Sequence, residues 1–138
     1  MNVCKQNGFL LPTVYQGMYS AVTRQVETEL IPCLRYYGMR FYAYSPLGGG
    51  ILTGKHQFSQ DEKKEIQSGR FNMANGGWDK IYRDRYWKVE HFNAMEKIAE
   101  LLAQHHPDEN CTMAEAAYRW LIHHSMLQGW ARNFSRLK

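Results

Sequence analysis

Two short stretches decide the architecture: residues 9–16, Phe9-Leu10-Leu11-Pro12-Thr13-Val14-Tyr15-Gln16, and residues 40–44, Arg40-Phe41-Tyr42-Ala43-Tyr44. Each is apolar with β-branched or aromatic members, as in a strand buried within a parallel sheet. Between them, Val26, Leu30, Cys33, Leu34 and Tyr37 recur at helical spacing, which predicts a helix over about Thr23–Tyr37, closed by Gly38. Pro32 lies inside that pattern, so the helix is expected to kink, or to begin in earnest near the proline. Strand, helix, strand is a βαβ unit, whose crossovers are right-handed.

Working outward, residues 1–8 read as the last turn of a helix stopped by Asn7-Gly8. From Ser45 to about Lys88 no periodicity is visible, although most of the glycines and many aromatics fall there, and so long a stretch reads as a functional loop. Phe92, Met95, Ile98, Leu101 and Leu102 predict an amphipathic helix over about Glu90–Gln104, broken by Pro107-Asp108-Glu109-Asn110. Thr112-Met113-Ala114-Glu115 has the form of a capping box, with Glu115 reaching back to Thr112. The helix it opens should bury Met113, Ala116, Ala117, Trp120 and Leu121. Two parallel strands leave two open edges and an apolar face, so more sheet belongs beside this piece.

Composition narrows the function. The chain has 138 residues, 44% hydrophobic and 22% charged, with four Trp, nine Tyr and six Phe, which is a globular and not a disordered composition. Its charge of +4 is scattered, with no basic run beyond Lys63-Lys64, so nucleic acid is not expected as a partner. A site for a phosphorylated cofactor accounts for a modest positive excess equally well. Cys4, Cys33 and Cys111 are odd in number and far apart, and read as reduced thiols. His105-His106 and His123-His124 are adjacent pairs that diverge on a helix, so no metal is expected. No stretch is long and apolar enough for a membrane span, and a cytoplasmic chain is expected.

Ligands of parallel α/β folds bind beyond the carboxyl ends of the strands. At the first such end stands Gln16, whose amide offers both donors and an acceptor; a polar residue that merely ends a strand is the plainer reading. The second end runs Tyr44-Ser45-Pro46-Leu47-Gly48-Gly49-Gly50-Ile51-Leu52-Thr53-Gly54-Lys55. Its glycines let backbone N–H groups approach an anion, and Lys55 adds a charge. Gly49 to Lys55 satisfies G-x-x-x-x-G-K, but His56 stands where a nucleotide-triphosphatase loop needs Ser or Thr for magnesium. In Tyr82-Arg83-Asp84-Arg85-Tyr86-Trp87 the arginines either grip a carboxylate or pair locally with Asp84 at a helix start.

These residues together resemble the aldo-keto reductases. Pro12–Gln16 and Ala43–Leu47 resemble that family's sixth and seventh barrel strands. Tyr15-Gln16-Gly17-Met18-Tyr19, Thr23–Leu30, Gly69-Arg70-Phe71, Tyr82–Trp87 and Arg119–Ser125 resemble the aflatoxin-aldehyde reductase branch in particular. The likeness runs from about Cys4 to Gly129 and implies part of a (β/α)8 barrel, a fold that takes roughly 250 residues. Residues 1–129 are then the C-terminal portion of the barrel, cut at both ends, and 130–138 a divergent tail. The resemblance implies NADP(H) as cofactor, with Gln16 on the nicotinamide carboxamide and Tyr44 stacked on its ring. It places Ser45, Pro46, Leu47, Gly48, Gly49, Gly50, Leu52, Gly54 and Lys55 along the pyrophosphate, Arg70 also facing the cofactor, and Tyr82 and Arg85 toward the substrate, an aldehyde or ketone. The family's catalytic Tyr, Lys, Asp and His lie on earlier strands and have no matching position here. The expectation is therefore an incomplete, inactive fragment of a reductase. The alternative is a non-catalytic partner that docks on full-length subunits as a homo- or hetero-dimer, or a channel-β-type subunit.

Overall fold

The computed structural model describes residues 1–58, 69–72, 76–107 and 111–127. The tail 130–138, the end of the resemblance at Gln128-Gly129 and most of the break at 107–110 lie outside them. In order come α1 (Asn2–Gln6), β1 (Val14–Met18), a 3-10 turn (Gln25–Glu27), α2 (Leu30–Tyr36) and β2 (Arg40–Tyr44). A second 3-10 segment (Gly48–Thr53) precedes α3 (Trp78–Tyr86), α4 (Val89–His105), α5 (Met113–Arg119) and a π turn (Trp120–His124).

β1 and β2 pair in parallel, with Val14 opposite Arg40, Gln16 opposite Tyr42 and Met18 opposite Tyr44. β2 has the expected bounds. β1 does not: it begins at Val14 and not at Phe9, and it continues past Gln16 to Met18. A strand exists only where a partner offers hydrogen bonds, and β2 offers none upstream of the Arg40 N–H to Thr13 carbonyl bond (2.9 Å). Pro12 also has no N–H to give, and Leu10 is 96% exposed.

α1 is the short helix expected at the start of the chain, and Gly8 follows it in the left-handed region. The crossover helix forms only from Leu30, which puts Pro32 in the first turn, where a missing N–H costs nothing. It buries Ile31 and Leu34, while Cys33, expected on the inner face, is exposed. With Tyr19, Met39, Phe41, Leu121 and Leu127 these form a first core on one face of the sheet. Burying side chains such as Ile31 and Phe41 stabilises the fold by about 1.5–3 kcal/mol each.

Successive strand residues point to opposite faces. Gly17, Phe41 and Ala43 therefore look toward the first core, and Gln16, Tyr42 and Tyr44 toward the other side, where all three are exposed. The stretch read as a loop from Ser45 to Lys88 is corrected by α3. That helix shows no apolar stripe because only Tyr86 is buried, while Trp78 and Ile81 are exposed among Asp79, Lys80, Arg83, Asp84 and Arg85. α4 and α5 stand where periodicity and Thr112 predict them. Thr112 Oγ1 accepts the Glu115 N–H (3.2 Å), but the Glu115 carboxylate takes Arg119 (2.7 Å), one turn on. The capping box is thus half made, because an i,i+4 partner is available to Glu115.

A second core joins Ile51, Leu52, Phe71, Tyr86, Phe92, Met95 and Ala117 beyond the carboxyl ends of the strands. Tyr19 secures the first core to its surroundings. Its hydroxyl donates to Glu27 Oε1 (2.6 Å) and accepts the Met126 N–H (3.1 Å), and its ring packs on Phe41 and Trp120. Arg24 grips Glu27 through Nε and Nη2, both at 2.9 Å, which holds the carboxyl below its usual range. Tyr19→Phe keeps the ring but leaves the Met126 N–H and the Glu27 carboxylate without this partner. The expected loss is about 1–3 kcal/mol in chemical denaturation; an unchanged midpoint would remove Tyr19 from this role.

Candidate functional site

The site begins where the strands end together. The Tyr19 N–H donates to the Tyr44 carbonyl (3.2 Å), and the residue that follows the second strand, Ser45, adopts φ 56°. Left-handed backbone in a residue other than glycine is held only by surroundings that over-determine it, and it concentrates at functional turns. The Ser45 carbonyl accepts the Gly48 N–H (3.0 Å), and the Leu47 carbonyl accepts both Gly50 (2.9 Å) and Leu52 (3.2 Å). Two tight turns follow one another, with Ile51 and Leu52 sunk into the second core as the anchor and the glycines at the tip.

Gly49 is needed there on two counts. Its φ is +71°, and a Cβ would come within 2.6 Å of the Tyr82 ring. Gly50, at φ +112°, instead has open space, the nearest atom to its Cβ position being His56 Nε2 at 3.9 Å. The turn therefore packs through Gly49 and presents bare backbone at Gly50.

α3 and the 69–72 segment close the site from the other side. Arg83 donates to the Phe71 carbonyl through Nη2 (2.9 Å) and Nε (3.3 Å), and the Phe71 ring is fully buried against Trp87. With Phe71 pinned, its neighbour Arg70 lies over the Tyr82 ring, 5.6 Å from the centroid. A hollow of about 370 Å³ results. Ser45, Pro46, Leu47, Gly49 and Gly50 line one side, and Arg70, Tyr82 and Tyr118 the other. A hydroxyl, a guanidinium, glycine backbone and two phenol rings suit an anionic ligand that carries a planar or apolar part.

The remaining candidates are spread around it. Gly48 and Leu52 are buried beneath the turn, Gly54 lies against Met113, and Lys55 is exposed. Gln16 and Tyr44 share the open face of the sheet, away from the hollow's lining. Arg85 stands off toward the first strand, with Nη1 3.5 Å from Met18 Sδ, a sulfur that also accepts the Tyr86 hydroxyl (3.0 Å). Arg83 is turned to Phe71 and not to Asp84. Both His pairs are exposed, and among the described residues no group of three His, Cys, Asp or Glu is placed to hold a metal. Nor is any described helix long and apolar enough to cross a membrane.

Two residues at the site have no functional signal in the sequence. Tyr118 lies off the apolar stripe of α5 and carries no signal of its own. In the sequence His56 reads only as the residue that spoils a magnesium loop. It packs against Phe71 (5.2 Å) and Trp87 (5.7 Å) just behind Gly50. Burial, reinforced by the charges of Arg83 and Lys55, pushes its pKa below the usual histidine value.

The Aldo/keto reductase family model matches residues 1–138. The chain is 52% identical to rat aflatoxin B1 aldehyde reductase member 2 over 92% of its own length and 34% of the relative's. It is 51% identical to human aflatoxin B1 aldehyde reductase member 4, over 92% and 38% respectively. An aldo-keto reductase of the fungus Pseudocercospora fijiensis is 43% identical over 92% of this chain and 40% of its own. The chain thus spans little more than a third of the length of these relatives.

Two outcomes follow from the geometry. Gly49→Ala should cost about 1–3 kcal/mol and displace the Tyr82 ring, visible as shifts in the Tyr82 and Arg70 resonances; a silent substitution would mean the turn is not held as described. A histidine whose folded pKa is lowered contributes stability that is complete above about pH 6.5 and is lost as pH falls through the folded value. Melting temperature should therefore drop between pH 7 and 5, above the carboxylate window of Glu27. His56→Phe, which keeps a ring between Phe71 and Trp87, should flatten that drop.

Proposed function

The chain belongs to the aldo/keto reductase family, and from that premise we propose that it supplies the cofactor-facing part of an NADP(H)-dependent aldehyde or ketone reductase. β1 and β2 act as the sixth and seventh strands of the family's (β/α)8 barrel. One observation carries the reading. The fold gathers Ser45, Pro46, Leu47, Gly49, Gly50, Arg70 and Tyr82 around a single hollow at the carboxyl end of a parallel pair, where such folds bind ligands.

The residues present fit a dinucleotide phosphate. Gly50 has room at its Cβ position for close approach of an anion, and Arg70 and Lys55 bring positive charge. Gln16 would hold the nicotinamide carboxamide and Tyr44 the face of its ring, both from the open side of the sheet. The bound cofactor supplies the hydride; this chain's residues orient it and shield it from water. Tyr82 and Arg85 serve the substrate side, with Arg85 directed to a carboxylate on an aldehyde acid. The proton donor of the family's reaction has no matching position in these 138 residues, so the chain alone turns over negligible substrate.

Titration of the chain with NADP+, followed by backbone amide shifts, tests the reading. Shifts should cluster at residues 48–50 and Arg70 and weaken with salt and in Arg70→Ala. An unperturbed glycine turn at millimolar cofactor would defeat it. NADPH oxidation with an aldehyde should stay at background, and family-like rates would show that the proton donor lies within this chain after all.

A further inference from the structure

We propose that His56 is a positioning residue that couples anion binding at the glycine turn to uptake of a proton. The inference rests on the reading of that turn as a phosphate site and deepens it. His56 Nε2 lies 3.9 Å from the position a Cβ would take on Gly50, the one glycine of the turn whose open side is neither filled by Tyr82 nor backed by Ile51. An anion lying on Gly50 is therefore within a few ångströms of the imidazole.

Among the described residues, the surroundings of the ring are apolar or cationic. Phe71 and Trp87 enclose it, each in a tilted or edge-on contact. Lys55 from its own segment and Arg83 from α3 are, among the described residues, the charges that act on it, and both are positive. Arg83 cannot readily swing away, since it is held on the Phe71 carbonyl. Among the described residues no carboxylate contributes to the field on the ring. Without a ligand, burial and these two cations lower the proton affinity of the imidazole. An anion at Gly50 supplies the missing negative charge, and the neutral ring becomes the group that responds by binding a proton. The protonated ring then adds a third cation behind the turn, so the anion is held more tightly at lower pH. By linkage, whatever raises the histidine's proton affinity has its own affinity raised by protons to the same degree.

Inorganic sulfate is the probe, because it stays dianionic throughout the range in which histidine titrates. The ring resonances of His56 and the amides of residues 48–50 would be followed in the 138-residue chain, with and without sulfate. The expected result is an upward move of the His56 titration when sulfate is bound, and an affinity that tightens on the order of tenfold from pH 8 to pH 5.5. His56→Gln should bind sulfate with little pH dependence. Amide shifts at Gly49 and Gly50 with an unmoved His56 titration would overturn the coupling while leaving the phosphate site intact. A pH dependence that survives His56→Gln would do the same. No amide shifts at any pH would overturn both.

Discussion

The buried hydroxyl of Tyr19 holds three parts of the chain to one another. It sits just past β1, where its backbone N–H is bonded to the last residue of β2. Its hydroxyl reaches the crossover through Glu27 and the end of the chain's described part through Met126. Arg24 completes the set, fixing Glu27 and lying over Trp120 at 5.4 Å. Arg35 of α2 also donates to the Met126 carbonyl. A two-stranded sheet is weak alone; here one polar centre, closed in by Phe41 and Trp120, ties it to its surroundings on one face.

Where the strands stop, the candidate site starts. The glycine turn has its apolar end in one core and a half-buried tip, so it is anchored at one end and has open space at Gly50, where a ligand would approach. Position along the chain does not bring Arg70 there. The pinning of Phe71 by Arg83 does, and the Tyr82 ring then holds the guanidinium over the hollow. The side chains that fasten the site, Phe71, Tyr86 and Trp87, are thus distinct from those that line it. The opposite face of the sheet, with Gln16, Tyr42 and Tyr44, stands open in a chain that spans about a third of its relatives' length.

Sequence reasoning reached the elements whose signals are local. Arg40–Tyr44, Thr112 as a cap, Gly8 as a stop and Pro32 as a start are all set by backbone geometry or by an apolar run. The structure departs from the sequence pattern where a partner decides. The first strand was displaced because pairing, and not composition, sets its bounds. Cys33 faces out because α2 begins later than its spacing suggests, rotating the inner face to Ile31 and Leu34. α3 carries no apolar stripe because two arginines, two aspartates and a lysine surround its single buried tyrosine. Glu115 chose Arg119 over its own cap.

From the sequence alone came the βαβ unit, the glycine-rich strand mouth and the likeness to reductases, since strand propensity, positive-φ demand and motif order are written residue by residue. Tertiary structure alone decided which candidates meet. It drew Ser45 to Gly50, Arg70 and Tyr82 around one hollow, added Tyr118, placed Arg85 beside Met18, and set His56 behind Gly50. The physical reason is that side-chain convergence depends on packing between segments distant in the chain. A burial such as that of Phe71 fixes its neighbours' directions only once the second core has closed around it.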